Sequence, residues 1–358
     1  VAAHERAVVA RAAGRFGAAE RDARRALAGY RAAEGPRHPD VANALVELAA
    51  ALEARDRPDE AAHALQRALG ILRPPTDDLD VVRLGLQARL ALSGLDRRRG
   101  AYAAADRGAR AALAEAQRQL PRRDPLIAAT LNNLGVLRKA EGRYAEAVAY
   151  YRRTAPLLPR GDRLARATLE HNLGGIAHAR GRLAEAEPHA RRAVALREAV
   201  LGARHPAWAA DVAALAAVVE SRGRLDEAAR LYRRSQAVFR RVLGPRSLEH
   251  ALGMAGLAAV EQQRGARARA RALYARAIPS LARLLGPHHP DVALTVNNLA
   301  VLEREAGRLA RAEALFRRAA ASFGRTLGPR HPHRILAGEN LRAVSAARAE
   351  TGAARSGR

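Results

Sequence analysis

Along the chain, a leucine directly followed by a small residue recurs at a nearly constant interval: Leu48-Ala49, Leu92-Ser93, Leu134-Gly135, Leu173-Gly174, Leu215-Ala216, Leu257-Ala258 and Leu299-Ala300. Seven residues after each small residue comes a polar turn, clearest as Gly14-Arg15-Phe16, Gly142-Arg143-Tyr144, Gly181-Arg182-Leu183, Gly223-Arg224-Leu225 and Gly307-Arg308-Leu309. Weaker copies are Asp56-Arg57-Pro58, Gly100-Ala101-Tyr102 and Gly265-Ala266-Arg267. The eight turns start at 14, 56, 100, 142, 181, 223, 265 and 307, with intervals of 42, 44, 42, 39, 42, 42 and 42. Five residues beyond each start stands an alanine: Ala19, Ala61, Ala105, Ala147, Ala186, Ala228, Ala270 and Ala312. Twelve beyond, a further small column runs Ala26, Ala68, Ala112, Thr154, Ala193, Ser235, Ala277 and Ala319. Such a period is the mark of stacked supersecondary units, each covering its neighbour's apolar face.

The columns predict a pair of antiparallel helices in every unit. Glycine at the turn suits a left-handed helix end, which a Cβ disfavours. Small residues on both sides of the turn let the two backbones approach, where a larger side chain would overpack at about 1–3 kcal/mol. Leucine and the aromatic column Tyr151, Tyr232, Tyr274 and Phe316 fill the space between pairs. A second type of turn joins one unit to the next: Leu201-Gly202-Ala203-Arg204-His205-Pro206, Leu285-Gly286-Pro287-His288-His289-Pro290 and Leu327-Gly328-Pro329-Arg330-His331-Pro332, with Gly35-Pro36-Arg37-His38-Pro39 earlier. Glycine closes the second helix, and proline opens the next one, where its missing N–H costs nothing. Asp40 and Asp291 then lie in a first helical turn, where the helix dipole favours an anion.

The motif Leu-Gly/Ala…Gly-Arg-Tyr…Ala…Ala resembles the tetratricopeptide repeat. The 42-residue unit, its Leu-Gly-Pro-x-His-Pro-Asp-Val-Ala junction, and the segments Thr130-Leu131-Asn132-Asn133-Leu134-Gly135 and Thr295-Val296-Asn297-Asn298-Leu299-Ala300 resemble the kinesin-light-chain-like subclass. The resemblance implies an all-α fold, a right-handed α-α superhelix of about eight helix-turn-helix repeats over residues 1–349. A polar capping helix is expected over 331–349, because Arg342 occupies the small column, and a disordered tail over 350–358. Arg6 stands where the leucine column would begin, so the first helix is a poor copy. Two departures from the family are the missing repeat Trp and the irregular linker Pro74-Pro75-Thr76-Asp77-Asp78.

Composition agrees with helices. Of 358 residues, 49% are hydrophobic but only 3% aromatic, and much of the apolar content is alanine, the best helix former. The absence of cysteine removes disulfides, thiolate metal sites and a thiol nucleophile. The charged N-terminus shows no signal-peptide core, and no stretch approaches the roughly 18 uncharged apolar residues of a spanning helix. A cytoplasmic location without membrane contact is the expectation. The net charge of +26 invites a nucleic-acid reading. Against it, Lys139 is the only lysine, the arginines are spread along the chain, and Glu185, Glu227 and Glu313 are interleaved with them.

No phosphate-binding loop, His-Glu-x-x-His pair or Gly-x-Ser-x-Gly elbow is present, so no catalytic site, metal or cofactor is expected. The concave surface is the candidate site instead. The family pattern implies that it is lined by residues two, five, nine, twelve and thirteen of each unit, with the turn start as fifteen, and that residue six also reaches it. This selects Asn132, Asn133 and Lys139 in the fourth unit, His171, Asn172 and His178 in the fifth, Asn297, Asn298 and Arg304 in the eighth, and Arg97 and Arg98 in the third. In such repeats these Asn residues resemble those that bond a peptide backbone, since an amide both donates and accepts; the alternative is that they tie neighbouring helices together. The basic members point to a protein or peptide partner carrying acidic residues. An arginine-rich surface for nucleic acid and a receptor for a short signalling peptide are the competing readings.

Overall fold

A computed structural model describes residues 2–73 and 76–356, with side chains as far as residue 350. Pro74 and Pro75 of the irregular linker lie outside the described residues. The elements form eight antiparallel pairs: α1 (Ala2–Ala12) with α2 (Phe16–Glu34), α3 (Pro39–Glu53) with α4 (Pro58–Ile71), α5 (Leu79–Arg98) with α6 (Tyr102–Gln119), and α7 (Pro125–Ala140) with α8 (Tyr144–Thr154). They continue as α9 (Arg163–Ala179) with α10 (Leu183–Leu201), α11 (Pro206–Ser221) with α12 (Leu225–Val242), α13 (Leu248–Gln263) with α14 (Arg267–Leu285), and α15 (Pro290–Glu305) with α16 (Leu309–Thr326). A last helix, α17 (Pro332–Ser356), closes the array, and no strand occurs among the described residues. Arg342 is exposed on α17, as a polar cap requires, while Val344 is fully buried against α16.

The helix runs past the boundary expected at 349. α17 continues to Ser356.

The small columns do what their spacing demands. All eight alanines five residues past the turn are at most 1% exposed, so the partner backbone leaves no room for a larger side chain. Seven of the eight turns place glycine at φ between 71° and 78°; the eighth uses Asp56 at φ 56°. The interior is therefore a string of apolar clusters passed from pair to pair. One spans α1 to α5 and another α13 to α17.

Helix starts at the junctions are capped by side chains that accept a backbone N–H: Asp78, Asp124 and Asp162 in the first half, with His38, and His205, Ser247 and His289 in the second. His331 does the same through Nδ1, accepting from the His333 N–H.

The superhelix also returns upon itself. Turns of the first four units touch junctions of the second half, one coil further on. Gly14 lies against Pro206 and His205; Leu248 N–H donates to Asp56 at 2.7 Å; His289 meets the Arg98 carbonyl at 2.7 Å; His331 meets the Ala140 carbonyl at 3.2 Å. The last three contacts join residues 192, 191 and 191 apart.

Candidate functional site

The first helix of each pair presents one residue, three before the turn start, to the inner surface. The column reads Arg11, Glu53, Arg97, Lys139, His178, Glu220, Gln262 and Arg304. Six of the eight have partners. Arg11 pairs with Glu47 at 2.9 Å and Glu53 with Arg98 at 2.9 Å. The His178 ring meets Ser221 Oγ at 2.7 Å, Glu220 accepts from Gln263 at 2.7 Å, and Gln262 donates to Glu305 at 3.0 Å. Arg304 lies over the Phe316 ring, 5.8 Å from its centre. Arg97 and Lys139, equivalent residues of adjacent units, have no ion or hydrogen-bond partner among the described residues.

Two clefts share Arg97. The larger, about 580 Å³, is lined by Arg97, Asn132, Asn133, Thr168, Asp162 and Glu53, with apolar walls from Leu90, Leu126 and Leu158. The smaller, about 330 Å³, joins Arg97, Arg98 and Lys139 to His289, Asp291, His331 and His333, which arrive from the opposite coil. Desolvation holds the Lys139 ammonium below its ordinary range, and the Arg97 charge adds to it. Desolvation, then Arg98, lowers Arg97 in the same direction. Both cations are half-buried on the walls of these clefts. An unpaired cation held there is destabilising unless an anion joins it.

The other residues selected from sequence divide into two groups. Asn132 and Asn133 line the larger cleft, but their amides also serve the scaffold. Asn172 donates to Asn132 Oδ1 at 2.8 Å, and Asn133 donates to the Leu90 carbonyl at 3.3 Å. The alternative of helix-to-helix ties therefore describes Asn172 and Asn297, both buried; Asn297 accepts from Asn340 at 3.3 Å. Asn298 and Arg304 lie on α15, away from both clefts. His171 is bonded to Asp211 at 2.8 Å, and Asp211 also takes Arg197 at 2.6 Å. Burial first, then Lys139, lowers the His178 imidazole. Arg98 lines the smaller cleft, pairs with Glu53 at 2.9 Å and lies 3.7 Å from Asp56.

Sequence reasoning missed the wall supplied by His289, His331 and His333, because they lie one coil away rather than one unit away. Glu34, His38 and Asp40 bring three potential ligand atoms within 4.8 Å of one another, but at an exposed junction where His38 already caps α3.

The second helices carry adjacent arginines, Arg24-Arg25, Arg152-Arg153, Arg191-Arg192, Arg233-Arg234 and Arg317-Arg318, and most of these are occupied. Arg24 holds Glu20 at 3.0 Å, Arg191 holds Glu187 at 2.8 Å and Glu227 at 2.9 Å, Arg233 holds Glu261 at 2.8 Å and Arg317 holds Glu313 at 2.6 Å. Interleaved carboxylates thus convert a run of charge into ion pairs within and between units. No described helix is long and apolar enough to cross a membrane.

Sequence profiles of the tetratricopeptide repeat match residues 1–73, 208–283 and 252–324 in one form, and 167–207 and 130–164 in two others. The first form alone takes in more than half of the chain. No curated protein sequence matches. Among solved structures, BtubC (BKLC) from P. vanneervenii is similar at 21% identity and a TM-score of 0.50, over 64% of this chain and 92% of its own. A Rap protein complexed with Competence and Sporulation Factor is similar at 14% identity and a TM-score of 0.63, over 98% of each chain. The Pyrococcus horikoshii STAND protein PH0952, with a tetratricopeptide repeat sensor, is similar at 12% identity and a TM-score of 0.51, over 76% of this chain and 40% of its own. At these identities the likeness is one of fold.

Proposed function

Because this chain belongs to the tetratricopeptide repeat family, with 42-residue units of the kinesin-light-chain-like type, we propose that it is a protein- or peptide-binding scaffold, or the sensor arm of a larger regulator, that holds an acidic partner segment in its concave groove. The observation that carries this reading is the pair Arg97 and Lys139. Arg11 and Glu53 of the same column are held in ion pairs, whereas these two cations make no ion pair or hydrogen bond among the described residues. A carboxylate from the partner would sit against them, and the free amide hydrogens of Asn132 would be within the same cleft.

Binding to an array of acidic and neutral peptides tests this. Arg97→Glu with Lys139→Glu is expected to weaken the acidic members by at least about tenfold, since like charges across an interface are strongly unfavourable. Arg152→Glu with Arg153→Glu, exposed on the outer face, is expected to leave them unchanged. Equal binding by wild type and the groove variant would end the reading.

The size of the larger cleft favours a second reading, a receptor for a short signalling peptide. About 580 Å³ is within the range of roughly 300–1,000 Å³ that encloses a small ligand. Free peptides shortened from both ends separate the two: a receptor retains affinity for a few residues, and a scaffold loses it steadily. The paired outer arginines weigh against nucleic acid, for which affinity would collapse between low and moderate salt.

A further inference from the structure

At four places the second half of the superhelix rests on the first, and three of these contacts use a histidine in the same way. His205, His289 and His331 each accept, through Nδ1, the backbone N–H two residues on, capping the helix they precede. A ring nitrogen that accepts carries no proton, so the proton of each neutral imidazole is on Nε2. His289 and His331 donate it across the coil to the carbonyls of Arg98 and Ala140, and His205 is bonded to the backbone of Ala12. All three carbonyls stand two residues before a turn start, at the end of a first helix where carbonyls lack helical partners. Aspartate is an equally good cap but has no proton to donate. It is used at Asp78, Asp124 and Asp162, where no contact with another coil occurs among the described residues; His38 caps α3 without such a contact, so histidine is found at every histidine-bearing clasp but is not confined to them.

The one second-half junction without histidine obeys the same logic with its roles exchanged. Ser247 caps α13, and the opposing turn carries Asp56 where the other seven have glycine. Asp56 accepts the Leu248 N–H at 2.7 Å, so the first-half turn now supplies the side chain and the junction the backbone group. The paired departure of residues 56 and 247 marks the contact as one the chain is built to make.

We propose that these four junctions are clasps that hold the superhelix closed over its lumen, and that acid releases the clasps of His205 and His331 and so opens the groove. The regulatory meaning rests on the groove being the binding surface; the clasp itself does not. A second proton on the imidazole must go to Nδ1, where it faces the N–H it had accepted and the positive end of a helix dipole. The cap is lost and the junction loosens.

At His205 and His331 the neighbouring cations oppose that proton. His331 faces His333 on its own helix and, across the cleft, Arg97, Arg98 and Lys139, with Asp291 of α15 nearby. His289 faces Asp291 at 3.7 Å and Arg98. His205 faces Arg197 of α10, beside a cleft lined by Arg15, Arg204 and Arg241. Burial holds the imidazoles of His205 and His331 below their ordinary range, and the carbonyl bonds offset it only in part. At these two clasps the closed form thus binds fewer protons than the open form. It is favoured above the ordinary histidine value of about 6.5 and loses ground as pH falls below it. Because His289, His331 and His333 form one wall of the smaller cleft and Arg97 and Lys139 the other, parting the clasps parts the cleft.

The cysteine-free chain allows a direct test. Spin labels on Arg143→Cys and Arg330→Cys, both exposed and flanking the Gly142–His331 contact, report the gap by pulsed electron resonance. A single short distance is expected at about pH 7.5, with at least half of that population moved to longer distances at about pH 5.5. The variant His205→Asn, His289→Asn, His331→Asn keeps a capping side chain but cannot reach across. It is expected to give the long distances at both pH values with unchanged helical circular dichroism. If it loses helix, the single His331→Asn variant gives the same comparison at the labelled clasp. A distance that does not change with pH in the wild type, or Asn variants as closed as the wild type, overturns the proposal. No ligand enters the measurement, so a mobile seam without acidic-peptide binding would refute the groove reading alone, and a rigid seam would refute only the clasp.

Discussion

At the scale of single residues, the small columns are where the chain tolerates least. Gly135 packs under the ring of Tyr151; a Cβ there would lie 2.8 Å from Cδ1 and closer still to Cε1. Tyr151 is 1% exposed and has nowhere to turn. Gly135→Ala is expected to cost about 1–3 kcal/mol by overpacking, read as a lower denaturation midpoint, and trimming Tyr151 to Leu in the same chain should recover part of it. Glu220 is a residue whose charge is costly. Desolvation pushes its carboxyl up to about 7, against the opposing bonds from Tyr232 and Gln263. The folded chain therefore binds more protons than the unfolded one between the ordinary carboxyl value and about 7, and stability falls as pH rises through that window. Glu220→Gln is expected to stabilise by up to about 3 kcal/mol near pH 8 and by nothing near pH 4, measured by thermal unfolding at the two values.

At the scale of elements, apolar contact fastens the helix pairs together, and several of the interfaces add a buried charge set among opposite charges. Glu303 on α15 is fully buried and takes Arg271 of α14 at 3.2 Å, together with Arg308 at the following turn. The equivalent interface between α6 and α7 has the charges reversed, with Asp106 on α6 and Arg138, 1% exposed, on α7. The pairing is what the interface requires, and either sign arrangement satisfies it. Glu303→Gln removes the buried charge, but its arginine partners are partly exposed and can turn to water, so the change is expected to cost only about 1–2 kcal/mol, the charge-assisted hydrogen bonds lost. Since units of a solenoid contact mainly their neighbours, faster hydrogen exchange should appear in α14 to α16 while α3 to α6 keep their protection.

At the scale of the whole molecule, the array departs from a purely one-dimensional stack. Neighbouring pairs share extensive faces, whereas successive coils meet only at turns and junctions. Thin contacts of this kind are the ones that a few protons can undo, which is why acid is expected to change the distance between coils before it changes helix content. The same geometry decides what the lumen is. One coil brings Arg97 and Lys139, the next brings His289, Asp291, His331 and His333, and the groove is a space between coils as well as a surface along one.

Helices, their pairing, the turn positions and the eight-unit count were all legible in the columns of small and apolar residues, because they depend on contacts at most one repeat apart. Arg97 and Lys139 were legible as groove residues for the same reason. Their lack of partners was not, since pairing depends on which carboxylates the neighbouring helices bring within reach, and Arg98 found Glu53 while Arg97 did not. The roles of the Asn residues were equally undecided: an amide suits a peptide and a neighbouring helix alike, and the register of α7 on α9 joined Asn132 to Asn172. Even the histidine junctions could be read as helix starts, which is half of what they are. Their other half depends on the curvature of the superhelix, a sum of small rotations over four and a half units. Curvature brings residues about 191 apart into contact, and no spacing within a unit encodes where the coil will meet itself.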